Sequence, residues 1–232
     1  PLADWVDLSK GLPLEQRVYA ETLFWAICRR LQRLTQQMDD VPEDLQHLDE
    51  SLSDTYFCNF SLFQSIPDSW AIKQLFPVLP IHRLNERPTR HAVLGDITCD
   101  SDGKIDQFIS PRGLQKTLPV HPLREGEPYH FGVFLVGAYQ ETLGDLHNLM
   151  GDTNVVSVRI NGDGSFDFVR EMSGDSISDV LSYVEYQPQQ LLEQFRRIAE
   201  RAVRSGRIVA AERQNLLELF NASLRGYTYF ED

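Results

Sequence analysis

The chain is poor in cysteine, in basic residues and in long apolar runs. Its 232 residues hold three cysteines, Cys28, Cys58 and Cys99. An odd set with no short spacing between any two suggests neither a disulfide framework nor a zinc site, so a reducing, cytoplasmic setting is expected. No run approaches the ~18 apolar residues that a membrane span needs. Lys and Arg number 22 against 34 Asp and Glu, a formal net charge of -12 at pH 7. An anionic surface repels phosphate backbones and anionic headgroups, so neither nucleic acid nor membrane is an expected partner. Also missing are a serine elbow, a phosphate loop, a paired-histidine metal motif and a Gly-rich dinucleotide turn, which leaves classical hydrolase and nucleotide readings without support. No basic stretch followed by an apolar one opens the chain, so no secretory signal is read. The chain starts at Pro1, which methionine removal or a longer polypeptide would equally explain.

What is present is ordinary globular composition, 42% hydrophobic and 24% charged, with length enough for one large or two small domains. From Leu14 to about Gln37, Val18, Leu23, Ala26, Ile27, Leu31 and Leu34 recur at helical steps after Pro13. Residues 39–54 carry seven acids and no Lys or Arg, a solvated connection or short exposed helix. Tyr56 to Ser65 is aromatic-rich and suggests a strand; Pro67 then opens a short helix closed by Pro77. Two hairpins are expected, one around Asp102-Gly103 and one around the Asn161–Gly164 turn. Between them, His130 to Val136 has the look of a buried strand. Ser176 and Asp179 form a capping-box pattern, and apolar residues at helical spacing continue through Leu224. The plan is helices, then β structure, then helices.

Two constellations carry possible chemistry. Cys99-Asp100-Ser101-Asp102-Gly103 lacks the glycine and glutamate positions of a calcium loop, and the Asn161–Gly164 turn fails the same test. Cys99 beside Asp100 can transfer a proton while the carboxylate holds a cationic group, although cysteine also serves as a small buried hydrophobe. At Gly137-Ala138-Tyr139, two small residues before a tyrosine let the backbone turn tightly and can leave the phenol free to donate to a phosphate; a tyrosine packed at a sheet corner fits the same pattern. His147, beside Asn148, is expected in a helix and is more readily structural than a ligand.

The stretch YFCNFSLFQSIPDSWAIKQLFPVLPIHRLNERPTR, then GDITCDSDGKID and GVFLVGAYQETLGDLHNLMGDTN, and finally GYTYFED, closely resembles the carboxy-terminal part of bacterial biosynthetic arginine decarboxylases. The resemblance implies an α+β chain. A helical insertion would occupy 1–55, a β-domain of barrel or sandwich type 56–172, and a helical bundle 173–232, with a (β/α)8 barrel elsewhere in the parent enzyme. It implies pyridoxal 5'-phosphate as cofactor, bound mainly by that barrel, an association with magnesium, L-arginine as substrate, agmatine and carbon dioxide as products on the way to polyamines such as spermidine, and a dimer-built homo-oligomer, in the form of a tetramer. Cys99 would return a proton after decarboxylation, Asp100 would face the distal cation of the substrate from across a subunit interface, and Tyr139 would help to hold the cofactor phosphate. Asp102 belongs to the arginine-type motif without a role beyond the turn. Where ornithine-type relatives carry an aspartate after the asparagine, this chain has Phe60 after Asn59. The lysines Lys10, Lys73, Lys104 and Lys116 do not lie in a context resembling the family's cofactor lysine, so the isolated chain is expected to be inactive. A regulatory or purely structural homologue of a decarboxylase is the alternative.

Overall fold

The computed structural model describes residues 11–231 apart from Gln36, Asp39, Gln46, His47 and Arg112. Expectations touching residues 1–10, Lys10 and the start of the 1–55 segment among them, lie outside the described residues, as does Gln36 near the end of the first expected helix. The chain is a mixture of helix and sheet, as expected for α+β.

Helix α1 (Leu14–Thr35) follows Pro13, and a 3-10 turn (Glu43–Leu45) and short α2 (Leu48–Ser51) follow it. The helical spacing of α1 is real, but Val18, Leu23, Ile27 and Leu34 on it are exposed, so its apolar face is uncovered in this chain.

The expected strand over Tyr56 to Ser65 is only half strand. β1 (Asp54–Phe57) stops there, and Leu62–Ser65 is a helical turn, α3. Two local bonds explain the difference: the Ser61 hydroxyl accepts from Gln64 N–H at 3.2 Å, and the Leu62 N–H donates to Asp96 Oδ2 at 2.8 Å. A serine cap and a buried carboxylate take the amide groups that a strand would have spent on a neighbour. The expected short helix is present as α4 (Pro67–Ala71).

Next come β2 (Val78–Pro80), β3 (Arg90–Gly95), β4 (Lys104–Ile105), β5 (Phe108–Ser110), β6 (Gly113–Gln115), β7 (Leu118–Val120) and β8 (Phe131–Val133). β3 is the centre of the main sheet. It pairs in parallel with β1, Thr55 beside Val93, and antiparallel with both β7, Ala92 beside Leu118, and β4, Leu94 beside Ile105. The first hairpin is therefore present. The other described strands form two-stranded ribbons, β2 with β8, β5 with β6, and a later hairpin over residues 155–172, rather than one continuous barrel wall. Tyr56, Leu62, Ile66, Ala92, Leu94, Phe108 and Val120 close over the main sheet as the core. The Tyr56 hydroxyl donates to His121 O at 2.9 Å, which satisfies the one polar atom that burying this ring would strand.

The run His130 to Val136 is not a buried strand along its length. β8 covers only Phe131–Val133 and is half-buried, and Leu135 beyond it is left-handed at φ 61° and largely exposed. A β-branch-free residue held at positive φ ends pairing there. Helix α5 (Ala138–Thr142) follows. The second hairpin, β9 (Val155–Ile160) with β10 (Phe166–Met172), is the longest ribbon and carries a bulge between Phe168 and Arg170.

The capping box at Ser176 and Asp179 starts α6 (Ile177–Tyr183). Helices α7 (Pro188–Arg204) and α8 (Ala210–Leu224) pack together, with Phe195 and Phe220 stacked at 4.4 Å. The segment after α8 returns to the β region. Tyr229 donates to Gly151 O at 2.8 Å, Gly151 N–H donates to Thr228 Oγ1 at 3.1 Å, and the Asn59 side chain bonds both backbone groups of Phe230, at 2.8 and 3.1 Å.

Gly103 shows how tightly the β3–β4 turn is packed. A Cβ there would lie 2.2 Å from Asp96 Oδ1 and 2.7 Å from Thr98 Oγ1, whereas one at Gly162 in the second hairpin would meet nothing within 4 Å. Gly103→Ala is expected to destabilise the intact protein by about 1–3 kcal/mol, and Gly162→Ala to stay within about 0.5 kcal/mol. Denaturant unfolding of the two variants side by side checks this.

Candidate functional site

The turn between β3 and β4 presents Cys99, Asp100 and Asp102 on its exposed side. Its shape is built from its own polar groups: Asp102 N–H donates to Asp100 Oδ1 at 2.9 Å, Gly103 N–H to Asp100 O at 3.1 Å, and Lys104 N–H to Asp102 O at 2.8 Å. A short acidic side chain that bonds two residues ahead is the Asx device for such turns. Beneath it, the buried Asp96 carboxylate accepts Leu62 N–H at 2.8 Å, Thr98 N–H at 2.9 Å and the Thr98 hydroxyl at 2.7 Å. The mouth of the turn is thereby tied to the start of α3.

Cys99 and Asp100 each have a distant neighbour. Cys99 N–H donates to Asn148 Oδ1 at 2.9 Å, and Asn148 Nδ2 lies 3.3 Å from Cys99 Sγ. Asp100 Oδ2 is 3.8 Å from His147 Nε2, beyond hydrogen-bond range and within reach of an ion pair once the ring is protonated. The His147 ring lies against Phe63 of α3, centroids 4.5 Å apart, and Phe63 in turn meets Trp70 at 5.3 Å. Trp70 Nε1 donates to Asp102 Oδ2 at 3.3 Å. Asp102 therefore does more than shape the turn: it anchors it to α4. Of the three cysteines Cys99 alone is exposed. Burial pushes the Cys58 thiol up to about 11.

His147 stands in a single 3-10 turn (His147–Leu149) rather than in a longer helix. Asn148 within it is left-handed, φ 56° and ψ 23°. Asn148 and Trp70 were not legible as partners of Cys99 and Asp102, because the contact from Cys99 to Asn148 crosses 49 residues and no periodicity marks it.

Tyr139 lies elsewhere. It is 77% exposed in the first turn of α5 and shares no hydrogen bond, ion pair or ring contact with Cys99 or Asp100. The neighbouring Gln140 is buried and fixes α5 on α4: its Nε2 donates to Asp68 Oδ2 at 2.6 Å and its Oε1 accepts Asp68 N–H at 3.0 Å. With Gln140 turned inward, Tyr139 is turned outward. A cleft of about 290 Å³ beside it is lined by Gln64, Gly137, Ala138, Glu141, Asp152 and Thr153. Burial, with Asp175 close by, raises the Asp152 carboxyl above its ordinary value. The outward phenol and the first-turn amides of Ala138 and Tyr139 suit one side of a phosphate, while the acids of the cleft do not. Among the described lysines, Lys104 is paired with Asp106 at 3.1 Å and Lys116 with Glu50 at 3.0 Å. The phenol side of the cleft thus fits part of a cofactor cradle; Lys73, the third described lysine, stands just after α4 in a left-handed conformation, φ 58°, and does not line this cleft. No cluster of three or more His, Cys, Asp or Glu suited to a metal ion occurs among the described residues, and no described helix is long and apolar enough to cross a membrane.

Two family models match this chain: the arginine decarboxylase helical bundle domain over residues 10–49, and the arginine decarboxylase C-terminal helical extension over residues 177–230. The biosynthetic arginine decarboxylase of Rhodopirellula baltica is 56% identical over 94% of this chain and 32% of its own length. That of Thermosynechococcus vestitus is 50% identical over 94% of this chain and 34% of its own length. The chain is homologous to the carboxy-terminal region of biosynthetic arginine decarboxylases. It spans about a third of the length of the curated relatives it matches. The crystal structure of the biosynthetic arginine decarboxylase from Campylobacter jejuni superposes with a TM-score of 0.67 at 30% identity, covering 99% of this chain and 40% of that one. The Cys99 turn lies in the stretch between the two regions that the family models match.

The cysteine environments separate chemically. At pH 8, a thiol held at about 11 is ionised in about one molecule in a thousand. Iodoacetamide at that pH is therefore expected to label Cys99 well before Cys58, as read by mass spectrometry of tryptic peptides; equal labelling would show that the turn is closed.

Proposed function

We propose that this chain is the carboxy-terminal part of a pyridoxal-phosphate-dependent arginine decarboxylase, which converts L-arginine to agmatine and carbon dioxide for polyamine synthesis in the cytoplasm. Its barrel, lying outside this chain, holds the cofactor. The oligomer is dimer-built, and the Cys99 turn of one subunit completes the active site of its neighbour. The observation that carries this reading is the exposed pairing of Cys99 and Asp100 on a turn whose Asp102 carboxylate and whose Asp102, Gly103 and Lys104 amides are already engaged, in a chain whose relatives are arginine decarboxylases.

Loss of carbon dioxide leaves an electron pair on the α-carbon, and pyridoxal phosphate, when bound, supplies the sink that accepts it. Cys99 then gives its S–H proton to that carbon, and solvent reprotonates the exposed sulfur. Asp100 spends one oxygen on the turn amide, at 2.9 Å, and keeps the other for the guanidinium of the substrate. Asn59 is consumed by Phe230, and Phe60 packs against the core, so no acid stands at the position that ornithine-type relatives use. That leaves distal recognition to Asp100 and favours a longer cation than ornithine. With the cofactor bound, the Tyr139 hydroxyl and the amides beside it would help to hold its phosphate.

In the complete enzyme, Cys99→Ala is expected to lower kcat by about 10²–10⁴-fold while the cofactor's visible absorbance is retained, and the 232-residue chain alone is expected to release no labelled carbon dioxide from arginine. Parallel loss of absorbance and turnover would make Cys99 a structural residue, and release by the chain alone would refute the assignment of the cofactor to another part of the protein.

A further inference from the structure

Resting on the decarboxylase reading, we infer that Asn148 is the positioning residue of Cys99, setting the direction in which the thiol releases its proton. Both ends of the Asn148 amide are used on one residue: Oδ1 accepts the Cys99 backbone N–H at 2.9 Å, and Nδ2 donates to Cys99 Sγ at 3.3 Å. Sulfur here is the acceptor. Its own hydrogen is therefore left free to point away from Asn148, toward whatever faces the exposed side of the turn. Once the proton has gone, the same Nδ2–H faces a thiolate, and a hydrogen bond to a charged acceptor is stronger than one to a neutral one. The contact thus favours the state that Cys99 reaches after proton transfer, while the amide bond keeps the residue from turning.

The backbone is shaped to deliver this side chain. Asn148 and Leu149 are both left-handed, at φ 56° and 60°. Asparagine is among the few residues that tolerate this conformation, and it is the one that also brings a neutral donor and an acceptor. The strained turn is clamped on both sides. His147 lies against Phe63, while Met150 is buried and Gly151 is bonded through both its N–H and its C=O to Thr228 and Tyr229. Strain persists only where the surroundings over-determine it, and here they hold a single amide against a single thiol.

Asn148→Asp isolates the sulfur contact, because aspartate keeps the left-handed backbone and the acceptor for Cys99 N–H but has no donor for Sγ. Asn148→Gly keeps the backbone and removes both contacts. In the full-length enzyme, both variants are expected to lose about tenfold or more in kcat with KM for arginine and cofactor absorbance retained. In Asn148→Asp, labelling of Cys99 by iodoacetamide at pH 8 is expected to slow by about fivefold or more. A residue that only braced the loop would, when replaced, free Cys99 and speed its labelling; faster or unchanged labelling in Asn148→Asp would overturn the inference, even with kcat reduced. If Asn148→Asp fails to fold, as judged by circular dichroism, unaltered kcat in Asn148→Gly would overturn it equally. Failure of the parent enzyme to release carbon dioxide from arginine would instead count against the decarboxylase reading, and the labelling would still decide the role of Asn148.

Discussion

The buried carboxylate of Asp96 is the point on which the site depends. It stands at the end of the central strand, 2% exposed, and accepts three hydrogen bonds from two segments, the start of α3 and the mouth of the Cys99 turn. Its own N–H donates to Gly103 O at 2.7 Å, closing the turn from the other side. Buried polar oxygens are tolerated when they are hydrogen-bonded, and these donors meet that need. Each donor stranded by its removal would cost about 1–3 kcal/mol. Gly103 is required because the carboxylate occupies the space a Cβ would need. One interaction therefore sets both where the turn begins and how closely it returns to the sheet.

From that anchor the site is assembled by elements far apart in sequence. α3 places Phe63, and Phe63 supports both His147 and Trp70, the neighbours of Asp100 and Asp102. The carboxy-terminal segment after α8 bonds Gly151 and Asn59 and so holds the loop that carries Asn148. The terminal helices thus reach the site through the segment that follows them. The thiol and the carboxylate are exposed while Asp96, Asp102, Asn148 and Trp70 around them are held by hydrogen bonds, which is the arrangement expected of groups that meet a ligand lying outside this chain.

Local patterns exposed most of the elements. The capping box at Ser176, Pro13 before α1 and Pro67 at the head of α4, and the Asp-Gly and Asn-Gly turns each follow from local chemistry, and each appears in the structure. Where a pattern was shared, it misled. YFCNFSLFQS has aromatic residues suited to a strand, but Ser61 caps a helical turn and Asp96, thirty-four residues away, captures its first amide. HFGVFLV is apolar enough for a buried strand, yet Leu135 turns left-handed and the run leaves the sheet. Helical periodicity located α1 without revealing that Val18, Leu23 and Ile27 would be uncovered, since periodicity marks an apolar face and not what covers it. Cys99 and Asp100 stood out by their juxtaposition, whereas Tyr139, read as ending a buried strand, lies in the first turn of α5, after β8 has ended at Val133. Asn148, Trp70 and Asp96 were not legible, because their importance lies wholly in contacts made across the fold.

The claim that the Cys99 turn serves the active site of a neighbouring subunit is tested most directly by subunit mixing. Full-length Cys99→Ala enzyme would be mixed, under conditions that exchange subunits, with full-length enzyme whose cofactor-bearing lysine is replaced, and decarboxylation of arginine measured. Activity that neither variant shows alone is the expected result, because a mixed dimer then contains one complete site. Mixed dimers, verified by native mass, that remain as inactive as their parents would show that the turn does not complete a partner's site.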